Sequence, residues 1–203
     1  MAFSFVNENG RPKLDDFRKI VRFARQKKID LRLFISPVHT RMLEFEKFIG
    51  LWPYYESRKR NLVAILAVDA ATHPGSRPFH LWDFSGYNEV TTEPFPEPER
   101  KVVRMNFFWE LFHYRKEVGD MILDRIFIGK KGPVLDFGVL LDSRIIESHI
   151  STIRKNGIGY GKPHAAELAR LRREWDGLVS RQAVLTAETG HPYQKNTTNK
   201  AQP

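Results

Sequence analysis

The chain contains no cysteine among its 203 residues. This excludes disulfide bonds, thiolate zinc sites, iron–sulfur clusters and a cysteine nucleophile. Long hydrophobic runs are also absent. The longest apolar stretch, residues 62–68, has seven residues, whereas a membrane-spanning helix needs ~18. Residues 1–11 lack the basic start and apolar run that are typical of a signal peptide. As written, the sequence therefore predicts a cytoplasmic protein without a membrane span.

Charge is abundant but uneven along the chain. There are 33 Lys+Arg against 24 Asp+Glu, which gives a net charge of +9 at pH 7. Residues 1–60 hold 14 basic and 7 acidic side chains, whereas residues 61–100 hold 2 and 6. A basic end region of this kind is typical of solvated helix faces, and it also fits an anionic partner. No zinc-finger spacing, RNA-recognition signature or helix-turn-helix accompanies it, which disfavours nucleic acid as the partner.

Hydrophobic periodicity predicts an α/β protein. The chain is 41% hydrophobic and 12% aromatic, which is enough to build a core. Apolar residues recur at helical spacing in six segments, which we predict as helices: residues 13–28, 41–49, 54–72, 115–128, 142–155 and 163–179. Short apolar runs bounded by turn residues predict three strands, at residues 31–36, 79–84 and 137–141. A helix that feeds a buried strand favours a small, mostly parallel sheet with extra carboxyl-terminal helices.

Polar residues follow the first two predicted strands, at the edge of an α/β sheet where ligands gather. They are His39, Asp83, Ser85 and Asn88, and we predict that they contact substrate. Each also has a structural interpretation. His39 can begin a helix, Ser85 can close its strand in a Ser–Gly turn, and Asn88 suits a turn. Ser85 makes a poor nucleophile elbow, because the preceding Phe84 is bulky.

Glu110 and His113 are the candidate catalytic residues. They are three positions apart, so both side chains lie on one face if this turn is helical. A carboxylate that accepts the Nδ1–H of an imidazole fixes its tautomer, and Nε2 can then take a proton from a nucleophilic hydroxyl. The spacing therefore suits two members of a catalytic triad, although surface Glu–His pairs occur at the same spacing.

Four separated blocks of sequence occur in an order typical of one family. They are residues 33–39 (LFISPVH), 50–52 (GLW), 82–88 (WDFSGYN) and 109–120 (WELFHYRKEVGD). The last block resembles the closing block of SGNH (GDSL-type) hydrolases, in which an Asp-x-x-His provides the acid and the base. The earlier blocks resemble bacterial SGNH-like proteins related to surface-glycan esterase and acyltransferase factors. The resemblance covers roughly residues 13–155, with Glu110 standing where the family has Asp.

The resemblance implies the carboxyl-terminal portion of a three-layer, flavodoxin-like SGNH domain. It implies an ester hydrolase or acyltransferase that acts on an acylated carbohydrate or a similar ester, with His113 as general base and Glu110 as its orienting carboxylate. The family's nucleophile block, Gly-Asp-Ser or a related Gly-x-Ser, is missing from residues 1–30. We therefore expect little activity from the chain alone, and a nucleophile-bearing amino-terminal segment or second chain as its partner. Membership of a longer protein of this kind would imply a periplasmic or membrane-associated location.

The predicted organisation has four parts: a lead-in at residues 1–12, a partial α/β domain at 13–141, a helical extension at 142–189 and a flexible tail at 190–203. No two histidines stand three or four residues apart, so we predict no metal site, and no cofactor is expected. A second function from another class stays open at this point. The basic charge of residues 1–60 also fits a non-catalytic binding module for an anionic polymer, either polysaccharide or nucleic acid.

Overall fold

The computed structural model describes residues 14–96, 104–129, 134 and 137–189. The predicted lead-in and tail lie outside this part of the chain. Six α-helices and three strands follow one another along the described residues: α1 (Asp15–Gln26), β1 (Arg32–Ile35), α2 (Thr40–Phe48), α3 (Trp52–Thr72), β2 (His80–Asp83), α4 (Lys116–Leu123), β3 (Val139–Leu141), α5 (Ile146–Gly161) and α6 (Ala165–Thr189). A π-helical turn, Asp124–Ile128, continues α4. The chain is therefore a mixed α/β protein, as the sequence predicts.

The three strands form one small mixed sheet in the order β1-β2-β3. β1 and β2 are parallel, with Phe34 opposite Trp82. β3 runs antiparallel to β2, with Leu140 opposite Trp82. The prediction of a mostly parallel sheet is therefore wrong, because one of the two pairings is antiparallel. The direction of β3 could not be predicted, because a short apolar run predicts a strand but carries no information on its direction.

Apolar clusters cover both faces of the sheet. On one face, Leu81 and Leu141 pack with Val21 of α1, Val63 of α3 and Ile150 of α5. This agrees with the helical periodicity, because these side chains lie on the apolar stripes of their helices. On the opposite face, Trp82 packs against a cluster formed by α4 and the loops, whose buried members include Phe84, Val90, Phe108, Val118 and Ile122. The strands thus have helices on each side, which fits a layered architecture.

The carboxyl-terminal helices extend beyond their predicted ends. α5 reaches Gly161 although it contains three glycines after residue 155, which weaken a helix. Tertiary packing outweighs that propensity at Gly157, where an added Cβ would lie 2.9 Å from the Tyr87 ring. Asp142 marks the start of this region, because its Oδ1 accepts the backbone N–H groups of Arg144 and Ile145. Within the described residues, no helix is long and apolar enough to cross a membrane.

Gly138 is a position where the fold requires glycine. Its φ is +93°, and an added Cβ would overlap the buried ring of Phe84. We predict that Gly138→Ala lowers the free energy of unfolding by about 2–5 kcal/mol, since left-handed strain costs ~1–2 kcal/mol and overpacking adds ~1–3 kcal/mol. Urea unfolding followed by circular dichroism measures this loss. Gly50→Ala is the matched control. It has φ +76° and open space around the added Cβ, so it carries only the backbone strain, and equal losses in both variants would contradict the packing argument.

Candidate functional site

Glu110 and His113 lie at the tip of an ordered hairpin-like loop. Phe108 and Tyr114 form an antiparallel bridge. The backbone N–H of Trp109 donates to the carbonyl of His113 at 2.8 Å, and the N–H of Arg115 donates to the carbonyl of Phe107 at 2.7 Å. The predicted helical turn is absent at this point, because these cross-loop hydrogen bonds take its place. The bonds bring the two candidate side chains together without a helix.

The Glu110 carboxylate holds the imidazole of His113 in one orientation. Its Oε2 accepts the backbone N–H of Phe112 at 2.9 Å, and its Oε1 accepts the N–H of His113 at 2.8 Å. The same Oε1 is hydrogen-bonded to Nδ1 of His113. Desolvation alone would raise the pKa of Glu110, but these backbone and ring hydrogen bonds outweigh it and bring the pKa below its usual value. The carboxylate therefore stays ionised and keeps Nδ1 as the bound ring nitrogen.

This pair is open to solvent. The side chain of His113 is 81% exposed and that of Glu110 is 44% exposed. With Nδ1 turned to the carboxylate, Nε2 lies on the accessible side of the ring. The arrangement is that of a base with its orienting acid.

His39 is enclosed, at 1% exposure, between the rings of Phe95 and Phe108. Its Nδ1 accepts the backbone N–H of Arg41 at 3.2 Å, so the residue caps the start of α2. Its Nε2 lies 2.8 Å from the carbonyl oxygen of Glu93. Because Nδ1 accepts, Nε2 carries the proton and donates. Burial lowers the pKa of His39, so the ring is neutral. Of the two interpretations of His39, the structure shows the helix start.

Backbone hydrogen bonds connect His39 to the Glu110–His113 loop. The N–H of His39 donates to the carbonyl of Leu111 at 2.9 Å. Glu93, one of the acidic residues that follow β2, accepts the backbone N–H groups of Asn106, Phe107 and Phe108 at 2.7–2.9 Å. His39 thus supports the candidate pair through the main chain, although its own ring contacts protein on both sides.

Asp83 and Ser85 lie in a separate, buried polar cluster. Nζ of Lys59 is 2.5 Å from Oδ2 of Asp83 and 2.6 Å from Oγ of Ser85. Nε2 of His149 is 2.8 Å from the same Oδ2. The Tyr55 hydroxyl lies 2.9 Å from Oγ of Ser85. We call these five residues the Lys59–Asp83 cluster; it joins α3, the end of β2 and α5.

Burial controls the ionisation of this cluster. The side chains of Lys59 and Asp83 are both 0% exposed. Burial by itself would raise the pKa of Asp83, but the Lys59 ammonium and hydrogen bonds from His149, Lys59 and Ser85 hold it well below its usual range. Burial lowers the pKa of Lys59, and the Asp83 carboxylate opposes that shift. Asp83 is therefore ionised at neutral pH, and the ammonium of Lys59 is its buried counter-charge.

Both hydrogen-bond donors of Ser85 are used within this cluster. Its backbone N–H and its hydroxyl both donate to Oδ1 of Asp83, at 2.9 and 2.7 Å. A serine that donates its proton to a buried aspartate in a turn has a structural task. Asn88 is similar, since its Oδ1 accepts the N–H groups of Val90 and Thr91 at 3.1 and 3.0 Å. The structure thus puts Asp83 with Ser85, puts Glu110 with His113, and does not join the two groups in one cleft.

The position of Lys59 in the sequence indicates this cluster, although the polar residues at the strand ends do not. Tyr55, Lys59, Val63 and Leu66 are all buried along one stripe of α3. A lysine at a position of an apolar stripe needs a buried counter-charge. His149 on the apolar side of α5 is a matching signal. In the described part of the chain, no group of His, Asp or Glu side chains is arranged to hold a metal ion.

The fold and site define a mixed α/β protein with an exposed carboxylate–imidazole pair beside the carboxyl end of a parallel strand pair. Comparisons with protein-family models, with curated proteins and with solved structures give no match for this chain.

Truncation of Asp83 is expected to be severely destabilising. Asp83→Ala leaves the Lys59 ammonium buried without its counter-charge, which costs ~3–5 kcal/mol of unfolding free energy. Urea unfolding at pH 7 measures the loss. The control Asp16→Ala removes an exposed partner of Lys19 and should leave stability almost unchanged. The double variant Asp83→Ala with Lys59→Met should recover much of the loss. A double variant no more stable than Asp83→Ala would contradict the stranded-charge explanation.

The same cluster predicts an acid-sensitive stability. The pKa of Asp83 is lower in the folded chain than its usual value of 3.8. Its contribution is therefore fully present above that value and is lost as the pH falls towards the folded pKa. The stability advantage of the native chain over Asp83→Asn should be constant from pH 7 to about 5 and should shrink below about 4. Chemical unfolding of both proteins across this range measures it, and an advantage that grew on acidification would contradict the sign.

Proposed function

We propose that this chain is the acid–base part of an SGNH-like ester hydrolase or acyltransferase that acts on an acylated carbohydrate or a similar ester. One observation carries the proposal: Glu110 is hydrogen-bonded to two backbone N–H groups and to Nδ1 of His113, and the imidazole is 81% exposed. A carboxylate that is fixed by the main chain fixes the imidazole in turn. A fixed imidazole of this kind favours a catalytic role, because a surface ion pair does not require a carboxylate that is held by the main chain.

The chemistry follows from the orientation of the ring. Nε2 of His113 takes the proton of an attacking hydroxyl, while the hydroxyl oxygen forms a bond to the carbonyl carbon of the ester. The imidazolium that results is stabilised by Glu110. The same proton then goes to the alcohol oxygen of the substrate as its bond to the acyl carbon breaks. A water molecule or a sugar hydroxyl, which loses its proton to Nε2 in the same way, then bonds to the acyl carbon. The bond from that carbon to the nucleophile's oxygen breaks, and the proton on Nε2 goes to this oxygen.

The nucleophile has to come from elsewhere than the Lys59–Asp83 cluster. Ser85 is 7% exposed and donates its hydroxyl proton to Asp83, and no hydrogen bond in the described residues connects it to His113. Removal of the nucleophile from a triad removes most of the covalent catalysis. With water in its place, His113 supports only slow hydrolysis. The proposal therefore includes a partner segment or chain that carries the reactive hydroxyl.

Ion pairs within the protein weigh against the alternative of a basic binding module. Many of the cations in the basic region have a carboxylate within ion-pair distance: Arg18, Lys19, Arg25, Arg32, Arg41, Lys47, Lys59 and Arg60. Ion pairs within the protein reduce the charge that is offered to an anionic polymer. The uneven charge along the sequence is thus partly balanced in three dimensions.

Hydrolysis of p-nitrophenyl acetate tests the proposal. We expect the chain alone to hydrolyse this ester slowly, about 100-fold above buffer, at the lower end of the ~10²–10⁴-fold that general acid–base catalysis contributes. His113→Ala should bring the rate to background, and Glu110→Gln should lower it several-fold with unchanged folding by circular dichroism. A fluorophosphonate probe should leave the serines of the chain unlabelled.

Two outcomes would overturn parts of the proposal. If His113→Ala hydrolyses the ester as fast as the native chain, the Glu110–His113 pair is not a catalytic base. If the native chain shows a burst of p-nitrophenol and robust turnover, with a fluorophosphonate label on Ser85, the nucleophile lies within this chain. Asp16→Ala serves as the matched control for loss of a carboxylate, since it removes an exposed acid from α1.

A further inference from the structure

β1 presents a free backbone edge. The N–H of Phe84 donates to the carbonyl of Ile35 at 3.1 Å, so the polar groups of Ile35 point towards β2. Backbone groups alternate in direction along a strand. Those of Arg32 and Phe34 therefore point away from β2. Among the described residues β1 pairs with β2 alone, so in this part of the chain the backbone groups of Arg32 and Phe34 have no strand partner and are available to another strand.

Large apolar side chains surround this edge. Phe34 on β1 is 41% exposed, and Ile29, just before the strand, is 46% exposed. The Arg32 guanidinium lies 4.4 Å from the centre of the Phe127 ring, which places that 61% exposed ring beside the same strand. A single exposed apolar residue is ordinary, whereas several of them beside unpaired backbone mark a binding surface. An extended peptide is the ligand that satisfies both features.

Helix α1, which precedes β1 along the chain, carries further exposed apolar residues. It packs against α3 through its buried side, and Ile20 and Phe23 on the helix are 52% and 54% exposed. Exposed cations follow the helix at Lys27 and Lys28. A second copy of the chain would bring the same cations to the contact and would be repelled. The charge therefore selects a different partner, one with acidic side chains next to its apolar strand.

The edge also leads to the candidate catalytic pair. β1 ends at Ile35 and the chain passes to His39, whose N–H donates to the carbonyl of Leu111 between Glu110 and His113. A strand that adds parallel to β1 has its carboxyl end on the same side of the sheet. The residues that follow such a strand are thereby brought towards the loop that holds His113.

We propose that the free edge of β1, with Phe34, Ile29, Phe127 and the exposed side of α1, is the docking surface for an extended apolar segment with acidic flanks from another polypeptide. This segment adds to the sheet as a fourth strand, parallel to β1. That it also delivers the hydroxyl nucleophile to His113 rests on the proposed function. Docking itself does not depend on that function, so the two can fail separately.

Selection from a phage-displayed library of random twelve-residue peptides tests the docking surface. Phe34→Pro removes one N–H from the free edge and leaves the bonds to β2 intact, and proline is tolerated on an edge strand. Phe34→Ala, the matched control, removes the ring but keeps the N–H. We expect enriched peptides to alternate apolar residues and to carry acidic flanks. They should bind Phe34→Pro about tenfold more weakly than Phe34→Ala, the effect of one lost hydrogen bond. Their affinity should also fall with salt.

Hydrogen exchange of the native chain supplies a second measurement that does not depend on the folding of a variant. Addition of an enriched peptide should slow exchange in the segment that contains residues 32–35. The proposal is overturned if no peptide is enriched, if enriched peptides bind both variants equally, or if the exchange of this segment is unchanged. It is also overturned if the native chain sediments as a dimer that Phe34→Pro converts to monomer, because the occupant is then a second copy.

Discussion

The buried ion pair between Lys59 and Asp83 is the interaction on which the rest of the structure depends. Two charges at 0% exposure each lose several kcal/mol of hydration, and only their mutual contact with further hydrogen bonds offsets that loss. The requirement is geometric: α3 has to present Lys59 to the end of β2, and α5 has to bring His149 to the same carboxylate. The pair therefore sets the position of two helices against the sheet, where apolar packing alone would accept several arrangements.

A series of hydrogen bonds between side chains and the backbone leads from that pair to the surface. Asp83 fixes the turn at Ser85, and Asn88 and Thr91 order the loop that follows. The carbonyl of Thr91 accepts the N–H and the hydroxyl of Thr40 at 2.8 Å. Glu93 then binds the strand-like residues before the Glu110–His113 loop. The exposed pair thus has the rigid support that a catalytic base requires, although its own side chains lie in solvent.

Periodicity in the sequence predicted the helices and strands well, because apolar stripes determine which side of an element is buried. The direction of β3 could not be predicted, because an apolar run does not specify whether its strand is parallel or antiparallel to its neighbour. The pairing of Glu110 with His113 followed from their spacing, but its geometry comes from cross-loop hydrogen bonds and not from a helix. The partners of Asp83 were missed, because Lys59 and His149 are 24 and 66 residues away from it. Only the fold brings residues at such separations together.

The two polar groups at the ends of the strands differ in a way that decides their roles. In the Lys59–Asp83 cluster each polar atom that carries charge has a protein partner, and these contacts stabilise the fold. The Glu110–His113 pair satisfies the acid and one ring nitrogen and leaves the other nitrogen accessible. The same contrast separates the edges of the sheet. The side of β1 that faces β2 is paired, whereas within the described residues its outer side has no strand partner and lies among exposed apolar residues. The short connection from Ile35 to His39 leads from the outer edge of β1 to the loop that holds His113. A single docked segment would therefore pair with β1 and also bring its hydroxyl to Nε2 of His113.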